Sequence, residues 1–260
     1  MNSKKTVIRL LVVSAIVLSL LCLLVIGWEI AVERAVKNQL CLIGNKLTGR
    51  EIEVGPASYS IFSWNMDIAY FKVKNPIGYS PSNQAIEARQ IRISIAPWAI
   101  MSRVVHIRKL HIAEVELYPE LRKIPFTFQD WIVLLINPEI NLVDFSAVGK
   151  QAAGTADPQL WFLKIDDFTI PRAEVYFVNI SKFKKILPPI CQDLLPNKLP
   201  LKEYRQLNLG ADGKHTGPMI ASEILDRHLG ELKQWYSQWY NAKKDEIKAA
   251  FKKFYSPKNR

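Results

Sequence analysis

Four histidines are the first residues to weigh, because imidazole serves both proton transfer and metal ligation. His106 and His111 stand five apart in a segment of alternating apolar residues. Simple alternation sends them to opposite faces of a strand, and no carboxylate stands at a ligand-like spacing. Both read as polar strand residues facing solvent. His215 and His228 flank and enter a helical segment without the paired-histidine motif of zinc proteases. The run Gly210-Ala211-Asp212-Gly213-Lys214-His215-Thr216-Gly217 looks superficially like a phosphate loop. That pattern needs a glycine five positions before Gly213, and Asn208 stands there, so the run is a turn before a helix. No nucleophile elbow or calcium loop is present. Asp166-Asp167 reads as an ordinary strand-edge or turn pair. These residue types supply no catalytic residue, no metal site and no cofactor requirement.

The three cysteines include no closely spaced pair that would suggest a zinc ribbon or redox site. Cys41 and Cys191 pair if the compartment oxidises them; the other reading is two buried free thiols.

The formal net charge of +11 is compatible with nucleic acid, an anionic membrane or a lysine-rich surface, and its placement decides. Basic residues gather at the two ends of the chain and at Lys182, Lys184 and Lys185, while the strand-rich middle carries mixed charge. A nucleic-acid reader needs a basic stripe with aromatics on an exposed face, and none is legible. Nucleic acid is therefore not an expected partner.

The elements that position these residues begin with an apolar run. Arg9 and Glu29 bracket the uncharged stretch Leu10–Trp28, which as a helix is about 29 Å long, the thickness of a bilayer's hydrocarbon core. Lys4, Lys5 and Arg9 supply the basic flank of a cytoplasmic side. The run is longer than a cleaved signal normally carries, although Val25 and Gly27 would suit a cleavage site before Trp28. Leu21 before Cys22 argues against a lipoprotein. The expected organisation is a basic tail at 1–9, an anchor at 10–28 and a juxtamembrane helix at 29–48. A sheet domain at 49–180 follows, with a loop at 146–159. A proline-punctuated connection and a helix occupy 181–260, and the body lies outside the cytoplasm.

From Glu51 the period becomes alternating: Met66, Ile68 and Tyr70; Ile91, Ile93 and Ile95; Val105 and Ile107; Leu110 and Ile112; Val115 and Leu117. The phase slips at Tyr70/Phe71, at Gln90, around Arg108-Lys109 and at Ala113-Glu114. Each slip demands a bulge or a change of face, which predicts a strongly curved antiparallel sheet, a groove or half-barrel. Residues 105–117 also recur 58 positions on: Val105, Ile107, Leu110, Ile112 and Leu117 map to Leu163, Ile165, Phe168, Ile170 and Val175, and Glu116 maps to Glu174. Thr127 caps a short predicted helix before Asn137-Pro138. Thr216-Gly217-Pro218 opens a long one. Its Trp235, Trp239, Lys244, Lys248 and Lys252 make it a predicted amphipathic helix suited to a membrane surface.

This order of features resembles the N-terminal region of AsmA-like proteins. The likeness rests on the apolar anchor, a short helix, Leu47-Thr48-Gly49-Arg50 with Glu51-Ile52-Glu53-Val54, and a strand ending in Asn75-Pro76 near Gly78. It continues through Ile91–Ile95 and Ile107-Arg108-Lys109-Leu110-His111-Ile112. It covers about residues 7–118, with a weaker echo at 161–178. The resemblance implies an inner-membrane protein with a periplasmic body, and a bent sheet lined with apolar side chains. It also implies a link to outer-membrane biogenesis and phospholipid transfer. Six strands extend only about 29 Å in the hydrogen-bonding direction, too little to bridge two membranes unaided.

The fold expected is thus α+β: a transmembrane helix, a curved antiparallel sheet and a C-terminal amphipathic helix. Membrane lipids are the expected partners, with an envelope protein as a further one. Ile68, Tyr70, Ile91, Ile93, Ile95, Ile107, Leu110, Ile112, Val115 and Leu117 are the groove-lining candidates. The alternative is a structural or adaptor protein docking through its last helix.

Overall fold

The structure is a computed structural model and describes residues 2–48, 52–75, 84–96, 102, 104–120, 160–176 and 198–254. The predicted helix at 127–136, the loop at 146–159, Lys182, Lys184, Lys185 and Cys191 lie outside them. The architecture is α+β, with an apolar N-terminal helix α1 (Asn2–Thr48) and a C-terminal helix α2 (Gly217–Phe254). Between them, β1 (Ile52–Val54), β2 (Ala57–Ser60), β3 (Asn65–Lys74), β4 (Gln84–Ile95) and β5 (Val104–Leu117) form the first part of one open sheet. Strands β6 (Phe162–Ile170), β7 (Ala173–Tyr176), β8 (Lys198–Leu201) and β9 (Tyr204–Leu209) complete it.

Anchor and juxtamembrane helix are one continuous element, since nothing between Trp28 and Glu29 breaks the helical hydrogen bonding. The span Ile16–Lys46 contains a window of mean hydropathy 2.2 and is long and apolar enough to cross a membrane. Its Leu18, Leu20, Leu21, Leu23, Leu24 and Ile26 are exposed, whereas Val32 and Val36 are buried against the sheet. Cys41 is an exposed thiol on this helix and not a buried one.

The sheet is mixed, not wholly antiparallel. Strands β1 to β5 pair antiparallel, but β5 runs parallel to both β6 and β7. The parallel register matches the sequence repeat. Val105 pairs with Leu163, Ile107 with Ile165, Leu110 with Phe168, Glu116 with Glu174 and Leu117 with Val175. The two copies therefore lie side by side in the register of their own offset, and like copies read in the same direction must be parallel. Strands β8 and β9 add antiparallel partners to β7 and β6 from the segment expected to be a connection.

The short strands are halves of longer paths. Val54 pairs with Phe71 and Ala57 with Ile68, one register across the Gly55-Pro56 break. In the same way β6 continues into β7, and β9 aligns with β8, because Ile170 pairs with Tyr204 and Ala173 with Leu201. The sheet is thus six long paths crossed by one crease through Pro56, Ala69, Gln90, Ala113, Pro171 and Glu203. Three of the sequence's phase slips fall on this line. The ladder keeps its register through them, while Gln90 takes a positive φ of 52°. The fourth slip is a register shift of β5 against Ser94/Ile95. It places His106 and His111 on the same face, where simple alternation separates them.

An apolar row of Ala57, Ile68, Ile91 and Ile112 precedes the crease, and a row of Val54, Phe71, Ala88 and Val115 follows it. The step from Ile68 to Phe71 is odd and in a regular strand would change face. The backbone is irregular on this line, however, with Gln90 at a positive φ, and both rows belong to one hydrophobic core. Val32 and Val36 of α1 and Ile220, Leu225, Leu229 and Leu232 of α2 share the core with Met66, Ile68, Ile91 and Ile93.

Candidate functional site

Seven of the ten groove-lining candidates, Ile68, Ile91, Ile93, Ile95, Ile107, Val115 and Leu117, are buried. Leu110 and Ile112 are half-buried and pack on the same core. Val115 and Leu117, beyond the crease, belong to the same core as the others. Tyr70 instead joins the charged side, its hydroxyl donating to Glu53 Oε1 at 2.7 Å.

The crease carries an open cleft of about 570 Å³, and Ile68 and Ile91 are among its lining residues. Its geometry follows from the register. Ser58 pairs with Asp67, Asp67 with Arg92 and Arg92 with His111, a polar row across four strands. One residue further along the same face, Ala69 and Ala113 leave the space that a larger side chain would fill, with Gln90 between them and Pro56 at the edge. Arg92 Nε donates to Asp67 Oδ1 at 2.7 Å. Among the described residues the rest of the guanidinium and the His111 ring have no partner. Beyond the alanines along the strands comes the apolar row of Phe71, Ala88 and Val115.

Past the crease lies a charge lattice that sequence patterning did not single out. Arg89 Nε donates to Glu87 Oε1 at 2.8 Å, and its Nη2 lies 3.1 Å from Glu116 Oε2. Arg172 joins Glu114 at 2.7 Å to Glu174 at 3.1 Å, and Lys198 Nζ reaches Glu174 Oε2 at 2.5 Å. Tyr118 donates to Glu116 and Tyr176 to Glu174, each at 2.7 Å, and the two rings stack at 5.5 Å. Glu87, Glu116 and Glu174 are buried. The Lys198 ammonium, with Tyr176 and Arg172, holds the Glu174 carboxyl down at about 2 despite its burial. Burial and the Glu116 carboxylate push the Tyr118 hydroxyl well up. The one signal for this lattice was the repeat itself, which carries Glu116 onto Glu174.

At the end of β3, Asn75 is fully buried and its amide donates to the Glu120 carboxylate beyond β5. This gives the Asn75-Pro76 motif a local role in closing the β3–β4–β5 ladder. His106 Nε2 lies 2.7 Å from Asp166 Oδ2, both partly exposed. Among the described residues, no three His, Cys, Asp or Glu side chains are placed to hold a metal ion.

Of the membrane-surface candidates, Trp235 and Trp239 are half-buried and stack at 6.2 Å, while Lys244 and Lys248 are exposed. The Lys252 side chain lies outside the described set. Comparison with family models, with curated proteins and with solved structures found no match.

Proposed function

We propose that this chain is an inner-membrane-anchored periplasmic protein of cell-envelope biogenesis that shelters or transfers lipid on its sheet. The reading joins the apolar helix α1 with the resemblance of residues 7–118 to AsmA-like proteins. The observation that carries it is the crease cleft. There a polar row of Asp67, Arg92 and His111 adjoins two alanines, and Ala57, Ile68 and Ile91 also line the cleft. A lipid has that sequence of chemistry: a polar head next to an apolar tail. Arg92 takes a phosphate through its free guanidinium nitrogens, and the chain lies over Ala69 and Ala113. In this reading the sheet is a strongly curved trough, and the apolar side chains buried beneath α1 and α2 form its closed part.

The test is lipid content. Native mass spectrometry and thin-layer analysis of gently purified full-length chain should find phospholipid near one per chain. Ala113→Leu, which fills the cleft floor, should remove most of it. Lipid absent from the unaltered chain would overturn the proposal.

A second reading, an adaptor that docks the membrane or an envelope partner through α2, is favoured by one observation. Among the described residues the buried ones of this helix end at Leu232, while Lys233, Gln234, Gln238, Lys244 and Lys248 beyond it are exposed. A chain lacking residues 1–28 should float with anionic liposomes and stop floating when residues 233–260 are also removed.

A further inference from the structure

The turn between β2 and β3, Ile61-Phe62-Ser63-Trp64, carries the most exposed large apolar side chain among the described residues. Phe62 is 87% exposed. An exposed phenylalanine alone means little, but the position of this one is fixed. Glu29 is the first charged residue after the apolar stretch of α1, and its Oε1 accepts the Ile61 backbone N–H at 3.0 Å. One helical turn further on, Glu33 Oε1 accepts the Tyr59 N–H at 3.0 Å. These two bonds tie the turn to the level at which α1 leaves the hydrocarbon. Trp28 and Trp64 are half-buried close to the same level, and indole rings favour that zone of a bilayer. Trp64 is also held at a positive φ of 55°, unusual for a bulky residue, where it ends the turn.

We infer that this turn is a second membrane contact, with Phe62 inserted into the leaflet that α1 crosses. The inference rests on α1 being a membrane anchor. The occupant is lipid, because the turn is bonded to α1 at Glu29, between the exposed apolar residues Ile26 and Ile30 of the helix. Its consequence is orientation. A single spanning helix leaves the body free to rotate about the helix axis. A second contact beside it removes that freedom and fixes which edge of the sheet, β1–β2, stands nearest the bilayer.

The test uses the full chain in phosphatidylcholine nanodiscs with single nitroxide labels, read by accessibility to oxygen against a water-soluble nickel chelate. Cys22, exposed on α1, is the internal standard for lipid, and Leu207→Cys on β9, also exposed, is the standard for water. The other cysteines are changed to serine in each case. The expected result is an oxygen-to-nickel ratio at Phe62→Cys several-fold above that at position 207 and close to that at Cys22. A label at Ser63→Cys, with Phe62 intact, should give the same result and guards against loss of the turn in the first variant. A water-like ratio at 62 and 63 with a lipid-like ratio at 22 overturns the inference and leaves the anchor standing. A water-like ratio at all three overturns both. Labels at 62 and 63 reached by neither reagent mean a protein cover, and also overturn it.

Discussion

Glu174 is the member of the charge lattice with the clearest pH signature. Its carboxyl is held at about 2 against an ordinary 4.5, chiefly by Lys198. A depressed folded value stabilises the fold above the unfolded value and loses that contribution as pH falls through the folded one. The thermal midpoint should therefore decline from pH 4.5 towards pH 2, and Glu174→Gln should be less stable at pH 6 with a shallower decline. A midpoint indifferent to pH across that range would refute the assignment. His228 loses stability in the same direction from a different cause. It is buried on α2 against the Tyr204 ring of β9, with Arg227 beside it and Glu231 Oε2 3.9 Å from Nδ1, and both ring nitrogens are unbonded. Burial lowers its proton affinity below the ordinary 6.5, so the unfolded chain binds the proton first and stability falls as pH drops below that value. His228→Leu should flatten this loss and gain about 1 kcal/mol at pH 5 in chemical denaturation. At this scale the sequence was informative where a residue acts through its neighbours in the chain, as in the failed phosphate loop. It was silent on the lattice, because its members come from β3, β4, β5, β7 and β8 and only pairing brings them together.

The elements were more legible than the contacts between them. The apolar run at Leu10–Trp28 and the periodic residues from Ile30 to Leu47 were both visible as helix, the second continuing from the first, and α1 spans both. The strand segments from β3 to β5 follow from alternation, whereas β8 and β9 are short and surrounded by prolines and charges that hide the pattern. Glycine positions give a direct check on the connections. Gly210 ends β9 at a φ of 64°, and a Cβ there would lie 2.2 Å from the Leu163 backbone oxygen. Gly210→Ala should cost about 2–3 kcal/mol, since both the left-handed backbone and a backbone clash oppose it. Gly230, in the middle of α2, is the counter-case, because an alanine methyl there would meet nothing within 4 Å. At that position the alanine variant should gain about 0.5–1 kcal/mol from helix propensity. Equal effects of the two substitutions in urea unfolding would contradict the turn geometry at Gly210.

For the whole molecule, the phase slips were in the sequence but their alignment was not. Read one strand at a time, each slip predicts a separate bulge. Paired, they form one crease across six paths, and the ladder crosses it without any loss of register. The repeat was visible too, yet only the structure makes its copies parallel neighbours, because strand direction depends on a crossover that periodicity does not describe. This arrangement separates two kinds of apolar position that a sequence reading merges. Ile93 is buried beneath the helices on one side of the crease, whereas Ala113 lines the open cleft. Ile93→Ala should therefore cost roughly 2–5 kcal/mol of stability, the range for emptying a packed core site. Ala113→Leu should change stability by less than about 1 kcal/mol, since the cleft has room for the added atoms. If the cleft is the lipid seat, the two variants then separate cleanly. The first should melt earlier while its folded fraction keeps bound phospholipid, and the second should melt normally while losing it. A joint loss of stability and lipid in Ala113→Leu would mean that the crease is packed interior, and the lipid reading would lose its seat.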